Sequence, residues 1–153
     1  MKKINLEIDI NASCENVWDA IVKESKYRQW ASVFHEGSYF EGSWNKGDTI
    51  RFLVINAEGQ KEGMVSEIAE SDYPHHISIR HLGFIYNGID DTTSEEIRKW
   101  APSYENYTLE KLDAETSKFK LEMDIIDDYY EMFMKLWPKA MHKLKEVSES
   151  VAE

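Results

Sequence analysis

The stretch TSKFKLEMDIIDDYYEMFMKLWPKAMHKLKEV, residues 116–147, changes from one periodicity to another within a few positions. From Thr116 to Ile126, Phe119, Leu121, Met123 and Ile125 alternate with Lys118, Lys120, Glu122 and Asp124. That is the two-residue period of a strand with one dry and one wet face. From Asp128 to about Val147, Tyr130, Phe133, Trp137, Met141 and Leu144 recur every three or four residues, giving one broad apolar stripe along a helix. Acidic residues open this helix and lysines fill its second half, as the helix dipole prefers. Pro138 sits mid-helix, where it removes a backbone hydrogen bond and is expected to produce a kink. A half-wet sheet needs a cover for its dry face, and this helix is the one long amphipathic element available to it.

Working back from there, Ile4, Leu6, Ile8 and Ile10 alternate with Asn5, Glu7 and Asp9 in an opening strand. Ser13 is placed to cap a helix carrying Cys14, Val17, Trp18, Ile21 and Val22, and a second short helix fits Ser25 to Trp30. Strands are expected over 37–44, 49–56, 62–70 and 76–83, joined by the turns Asn45-Lys46-Gly47-Asp48, Ala57-Glu58-Gly59-Gln60 and Ser71-Asp72-Tyr73-Pro74. Links this short favour antiparallel hairpins. Residues 84–101 read as a loop with one short helix, begun by the capping-box pattern Thr93-Ser94-Glu95-Glu96. A further strand covers 104–112. The chain is therefore expected to be one α+β domain, residues 1–153, with a curved antiparallel sheet wrapped around a long C-terminal helix and two short helices after the first strand. Space left where sheet and helix diverge is the candidate site.

The formal net charge of −11 disfavours nucleic acid and anionic membrane surfaces, which attract basic patches. Apolar residues make up 42% and aromatics 12% of the chain, the composition of a folded domain with aromatic mass to spare. A single cysteine, Cys14, forbids an intramolecular disulfide, and the acidic start lacks a signal-peptide core. A cytoplasmic location is expected.

No cofactor and no metal is expected. His75 and His76 would point to opposite strand faces, and His75 and His81 would lie roughly 20 Å apart along a strand. The run Asp90-Asp91-Thr92-Thr93-Ser94-Glu95-Glu96 lacks the order and the glycine of a calcium loop. There is no Gly-x-Ser-x-Gly elbow and no glycine-rich phosphate loop, and Cys14 has no histidine near it in sequence. No catalytic residue is assigned.

The opening strand followed by Ser13-Cys14-Glu15-Asn16-Val17-Trp18-Asp19-Ala20-Ile21 resembles the start of the SRPBCC superfamily of helix-grip proteins, which includes the START and Bet v 1-like proteins. Trp30, Gly42, Gly47 and the Phe133, Trp137-Pro138-Lys139-Ala140, Leu144-Lys145 pattern resemble its branch related to the heat-shock protein 90 ATPase activator. The sequence departs from that branch in having Gly42-Ser43-Trp44-Asn45-Lys46-Gly47 where a Gly-Gly pair is frequent, and in leaving no room for the co-chaperones' extra N-terminal domain. The resemblance implies a deep cavity for apolar ligands such as lipids, polyketides or hormones. Some relatives are cyclases, hydrolases or dehydratases.

Phe133, Trp137 and Met141 read either as plain core or as one wall of that cavity, with Phe52, Ile79, Tyr107 and Met123 facing them. His81 or Tyr107 would supply the polar contact such pockets use. Three functions follow in order: non-catalytic binding of a small hydrophobic molecule; a polyketide cyclase/dehydratase-type enzyme, with His81, Tyr107 or Glu105 as acid or base; and a protein-interaction module with a chaperone partner.

Overall fold

The computed structural model describes residues 1–150, so residues 151–153 of the expected domain lie outside the described residues. The chain runs β1 (Lys2–Ile10), α1 (Cys14–Val22), α2 (Glu24–Ala31), β2 (Tyr39–Gly42), β3 (Thr49–Ile55), β4 (Lys61–Asp72), β5 (His76–Tyr86), β6 (Ile89–Asp91), α3 (Glu95–Arg98), β7 (Ser103–Asp113), β8 (Thr116–Ile125) and α4 (Asp127–Glu149). The strands form one curved antiparallel sheet in the order β1-β8-β7-β5-β4-β3-β2, with β6 on β5. This is the α+β helix-grip arrangement expected from the alternation at 116–126 and the stripe at 128–147.

Local chemistry explains the element ends. The Ser13 side chain accepts from the Asn16 amide at 3.2 Å and starts α1. α3 is capped by Ser94, which accepts from the Ile97 amide, one residue later than the Thr93 pattern suggested. The larger difference lies in 84–101, where β5 runs on to Tyr86 and turns back as β6. Asn87 and Gly88 have φ of 51° and 75°, the pair of left-handed residues a two-residue hairpin requires. At Gly63, φ is 153° and a Cβ would stand 1.8 Å from the Phe52 carbonyl oxygen, so only glycine lets β4 pass β3 there.

α4 continues through Pro138 as one helix. Its buried residues Trp137, Ala140, Met141, Leu144 and Val147 meet α1, α2 and β1, as the stripe requires. Outside, charges pair across the wet face, Lys118 with Glu7 and Asp9, and Lys120 with Glu110. Exposed pairs of this kind add little net stability, so the core holds the fold.

Candidate ligand cavity

A cavity of about 580 Å³ opens between the sheet and the helices α2 and α4. Six sequence candidates line it: Phe52 from β3, His81 from β5, Tyr107 from β7, Met123 from β8, and Phe133 and Trp137 from α4. Ile79 and Met141 are not among the residues that line it. Each is at most 3% exposed, in the cluster that also holds Val17 and Ile21 of α1. Met141 lies one helical turn beyond Trp137, where α4 packs against α1 and leaves no gap.

Trp137 combines both readings of its stripe. It is 2% exposed, packs edge-on against Phe34 at 4.9 Å between ring centroids, and donates its indole N–H to the Met123 sulfur at 3.1 Å. It is core on one side and cavity wall on the other.

The remaining walls were not assigned as site residues from the sequence. Tyr27, Trp30 and Phe34 come from α2 and the turn after it, and Phe84, Tyr86 and Trp100 from the 84–101 segment. Two signals existed in the sequence. Tyr27, Trp30, Ala31 and Phe34 keep helical spacing, and Asn87-Gly88 is a hairpin-turn dipeptide. The rim carries the exposed apolar side chains of Tyr86, Tyr129 and Met132.

One polar chain crosses the wall. In the β5–β7 register His81 stands opposite Ser103 and Ile79 opposite Glu105, and the two-residue period puts Glu105 and Tyr107 on the same face as His81. A register shift between Val65 and Ser66 brings Ser66 opposite His81. The Ser66 hydroxyl lies 2.7 Å from His81 Nδ1, and His81 Nε2 lies 2.9 Å from Glu105 Oε1. The Tyr107 hydroxyl donates to Glu105 Oε2.

The His81 side chain is 5% and the Glu105 side chain 14% exposed, so these hydrogen bonds replace water almost completely. Burial, then the Glu105 charge and hydrogen bond, push the Tyr107 phenol well above its usual range. Burial and the Glu105 charge likewise raise Tyr27. Both phenols therefore stay protonated, and that of Tyr107 donates to the carboxylate.

The other titratable motifs are occupied elsewhere. His75 Nδ1 meets the Leu109 carbonyl oxygen at 3.0 Å, and His76 Nδ1 meets the Thr108 hydroxyl at 3.2 Å. Asp90 pairs with Arg51 at 2.7 Å, and Asp91 accepts from the Thr93 and Ser94 amides. Among the described residues no group of three His, Cys, Asp or Glu side chains is arranged to hold a metal ion. Cys14 is buried.

No family model and no curated protein matches the chain, but many solved structures share its fold. The Aha1 dimer protein from Colwellia psychrerythraea aligns over 100% of both chains at 16% identity, with a TM-score of 0.69. The AHSA1 protein from Silicibacter pomeroyi aligns over 95% of this chain and 96% of its own at 15% identity, TM-score 0.67. DynU16, of the dynemicin biosynthetic locus, aligns over 98% of this chain and 48% of its own at 13% identity, TM-score 0.68. Identities this low speak for architecture alone. They agree with the helix-grip arrangement expected from residues 13–21 and 133–145: the chain shares its α+β fold with the Aha1, AHSA1 and DynU16 structures.

Proposed function

We propose that this protein binds a small hydrophobic molecule in the cavity between its sheet and α4, without transforming it. The observation that carries the reading is an aromatic-walled space of about 580 Å³ with one hydrogen-bonded polar group on its wall. Ligand pockets are typically ~300–1,000 Å³, mostly apolar, with a few convergent polar atoms that fix orientation. Phe52, Trp30 and Trp137 supply the apolar area, and Glu105 and Tyr27 face the cavity as acceptor and donor. No helix is long and apolar enough to cross a membrane. The acidic composition favours a cytoplasmic carrier over a nucleic-acid or membrane-surface protein.

Native mass spectrometry of protein purified from its own host tests this. A stoichiometric organic adduct is expected. Bare protein that also fails to take up a neutral apolar dye would overturn it.

A second reading rests on the His81–Glu105 contact. A buried carboxylate hydrogen-bonded to an imidazole beside a cavity is an arrangement general acid–base catalysis uses, which fits an enzyme of the cyclase/dehydratase type. Loss of turnover in Glu105→Gln, with ligand binding retained, would favour it. The likeness to Aha1 proteins bears on a chaperone partner only through the shared fold.

A further inference from the structure

Resting on the cavity-binding reading, we infer that the preferred ligand is an apolar molecule with a cationic, hydrogen-bond-donating end, of the aralkyl-amine class, seated with its ammonium group at Glu105. The inference starts from the charges on the cavity wall. Among the described residues that line it, the formally charged side chains are Glu62, Glu105 and Asp124, with no lysine or arginine, and the Met1 ammonium at the rim is paired with Asp127 at 3.0 Å. Asp124 is engaged with Lys3 at 2.9 Å and Glu62 with Asn56 at 2.9 Å, leaving Glu105 as the carboxylate of the interior.

The partners of the Ser66 hydroxyl select the tautomer of His81. The Ser66 hydroxyl is fully buried and has one partner, His81 Nδ1. If the hydroxyl donates to Nδ1, its proton is satisfied and Nε2–H donates to Glu105 Oε1. If both ring nitrogens carried protons, the Ser66 hydroxyl proton would be buried without an acceptor, which costs a full desolvation penalty. The tautomer with Nδ1 as acceptor satisfies every group. It leaves the imidazole neutral and the Glu105 carboxylate without a cationic partner.

That carboxylate already accepts from His81 and Tyr107, one donor on each oxygen. A carboxylate has about four acceptor directions, so roughly two remain for a ligand. Tyr27 and Phe52, with ring centroids 6.1 Å apart, line the same cavity as Glu105 and its partner Tyr107, and ring faces attract a desolvated cation. An anionic amphiphile meets the opposite situation. Its carboxylate would enter a low-dielectric space beside Glu105 with no basic side chain to receive it, and paired buried anions repel strongly.

The test measures displacement of Nile red, a neutral dye, by three probes that share one ring and differ in their polar end: 2-(1-naphthyl)ethylamine, 2-(1-naphthyl)ethanol and 1-naphthylacetate. In wild-type protein the amine is expected to bind about ten- to a hundredfold more tightly than the alcohol, the span of one charge-assisted hydrogen bond, with the carboxylate weakest. The order should persist at about 0.5 M salt, where attraction to the acidic surface is screened. In Glu105→Gln the amine-to-alcohol ratio should collapse to near one. Equal binding of all three probes, tighter binding of the acetate, or an unchanged ratio in Glu105→Gln would each overturn the inference while leaving a ligand cavity in place. Failure of Nile red and of every probe to bind would remove the cavity reading itself, and this inference with it.

Discussion

Replacement of His81 by leucine should destabilise the protein by about 2–5 kcal/mol, because two buried groups each lose a hydrogen-bond partner at roughly 1–3 kcal/mol per group. Leucine supplies neither the acceptor for the Ser66 hydroxyl nor the donor to Glu105. With the Glu105 side chain only 14% exposed, water cannot fully replace the lost donor. The double change His81→Leu with Glu105→Leu removes donor and acceptor together. Its loss should fall short of the sum of the single losses by about 1–3 kcal/mol, the coupling of directly contacting groups. Urea denaturation of the four proteins measures this cycle. A loss below about 1 kcal/mol in His81→Leu, or strictly additive losses, would mean that the wall chain contributes nothing as a unit.

Trp137→Ala is the second large effect. The ring packs against Phe34 and stands near Trp30 and Tyr107, with centroids 6.3 and 6.1 Å away. Its N–H has one acceptor, the Met123 sulfur. Deleting a buried tryptophan costs ~3–5 kcal/mol. With the residue only 2% exposed, nearly all of its contacts are core contacts and the loss should fall within that range. Domains of this size are stable by ~5–15 kcal/mol, so the variant should still fold. Its affinity for an apolar dye should fall clearly. Thermal melts and dye titration read the two effects separately. A variant that melts as wild type, or one that retains full dye affinity, contradicts the placement of Trp137 as both core and wall.

The frame of the fold was legible because strand and helix periods are unmistakable in residues 116–147 and 4–22. The site was legible where it follows the same parity. Met123 lies on the buried side of a clean alternation and Phe133 and Trp137 on the apolar stripe, whereas Phe52 stands in TIRFLVI, where alternation does not mark one dry face. The exceptions have physical reasons. Ile79 and Met141 share those faces but lie where the elements are packed together, and a face pattern does not reveal the distance to the element opposite. Ser66 was hidden by the register shift after Val65, which breaks the two-residue parity of β4. Phe84, Tyr86 and Trp100 were absorbed into an expected loop although Asn87-Gly88 marks the hairpin that carries two of them. Glu105 was visible only as a candidate carboxylate. Its weight comes from His81, brought to it by the β5–β7 pairing, and from Tyr107 two residues along β7.

The most direct measurement of the central claim is equilibrium binding of Nile red to wild-type protein and to a variant whose cavity is filled from its own wall. Met64 lines the cavity from β4, opposite Phe52 of β3, and Met64→Trp places a larger ring in that space. Wild type should bind one dye per chain with a blue-shifted emission, and Met64→Trp, still folded by circular dichroism, should bind at least about tenfold more weakly, a change of ~1.4 kcal/mol. Absence of saturable binding to folded wild type, or equal affinity in the filled variant, would contradict a ligand cavity between sheet and helix.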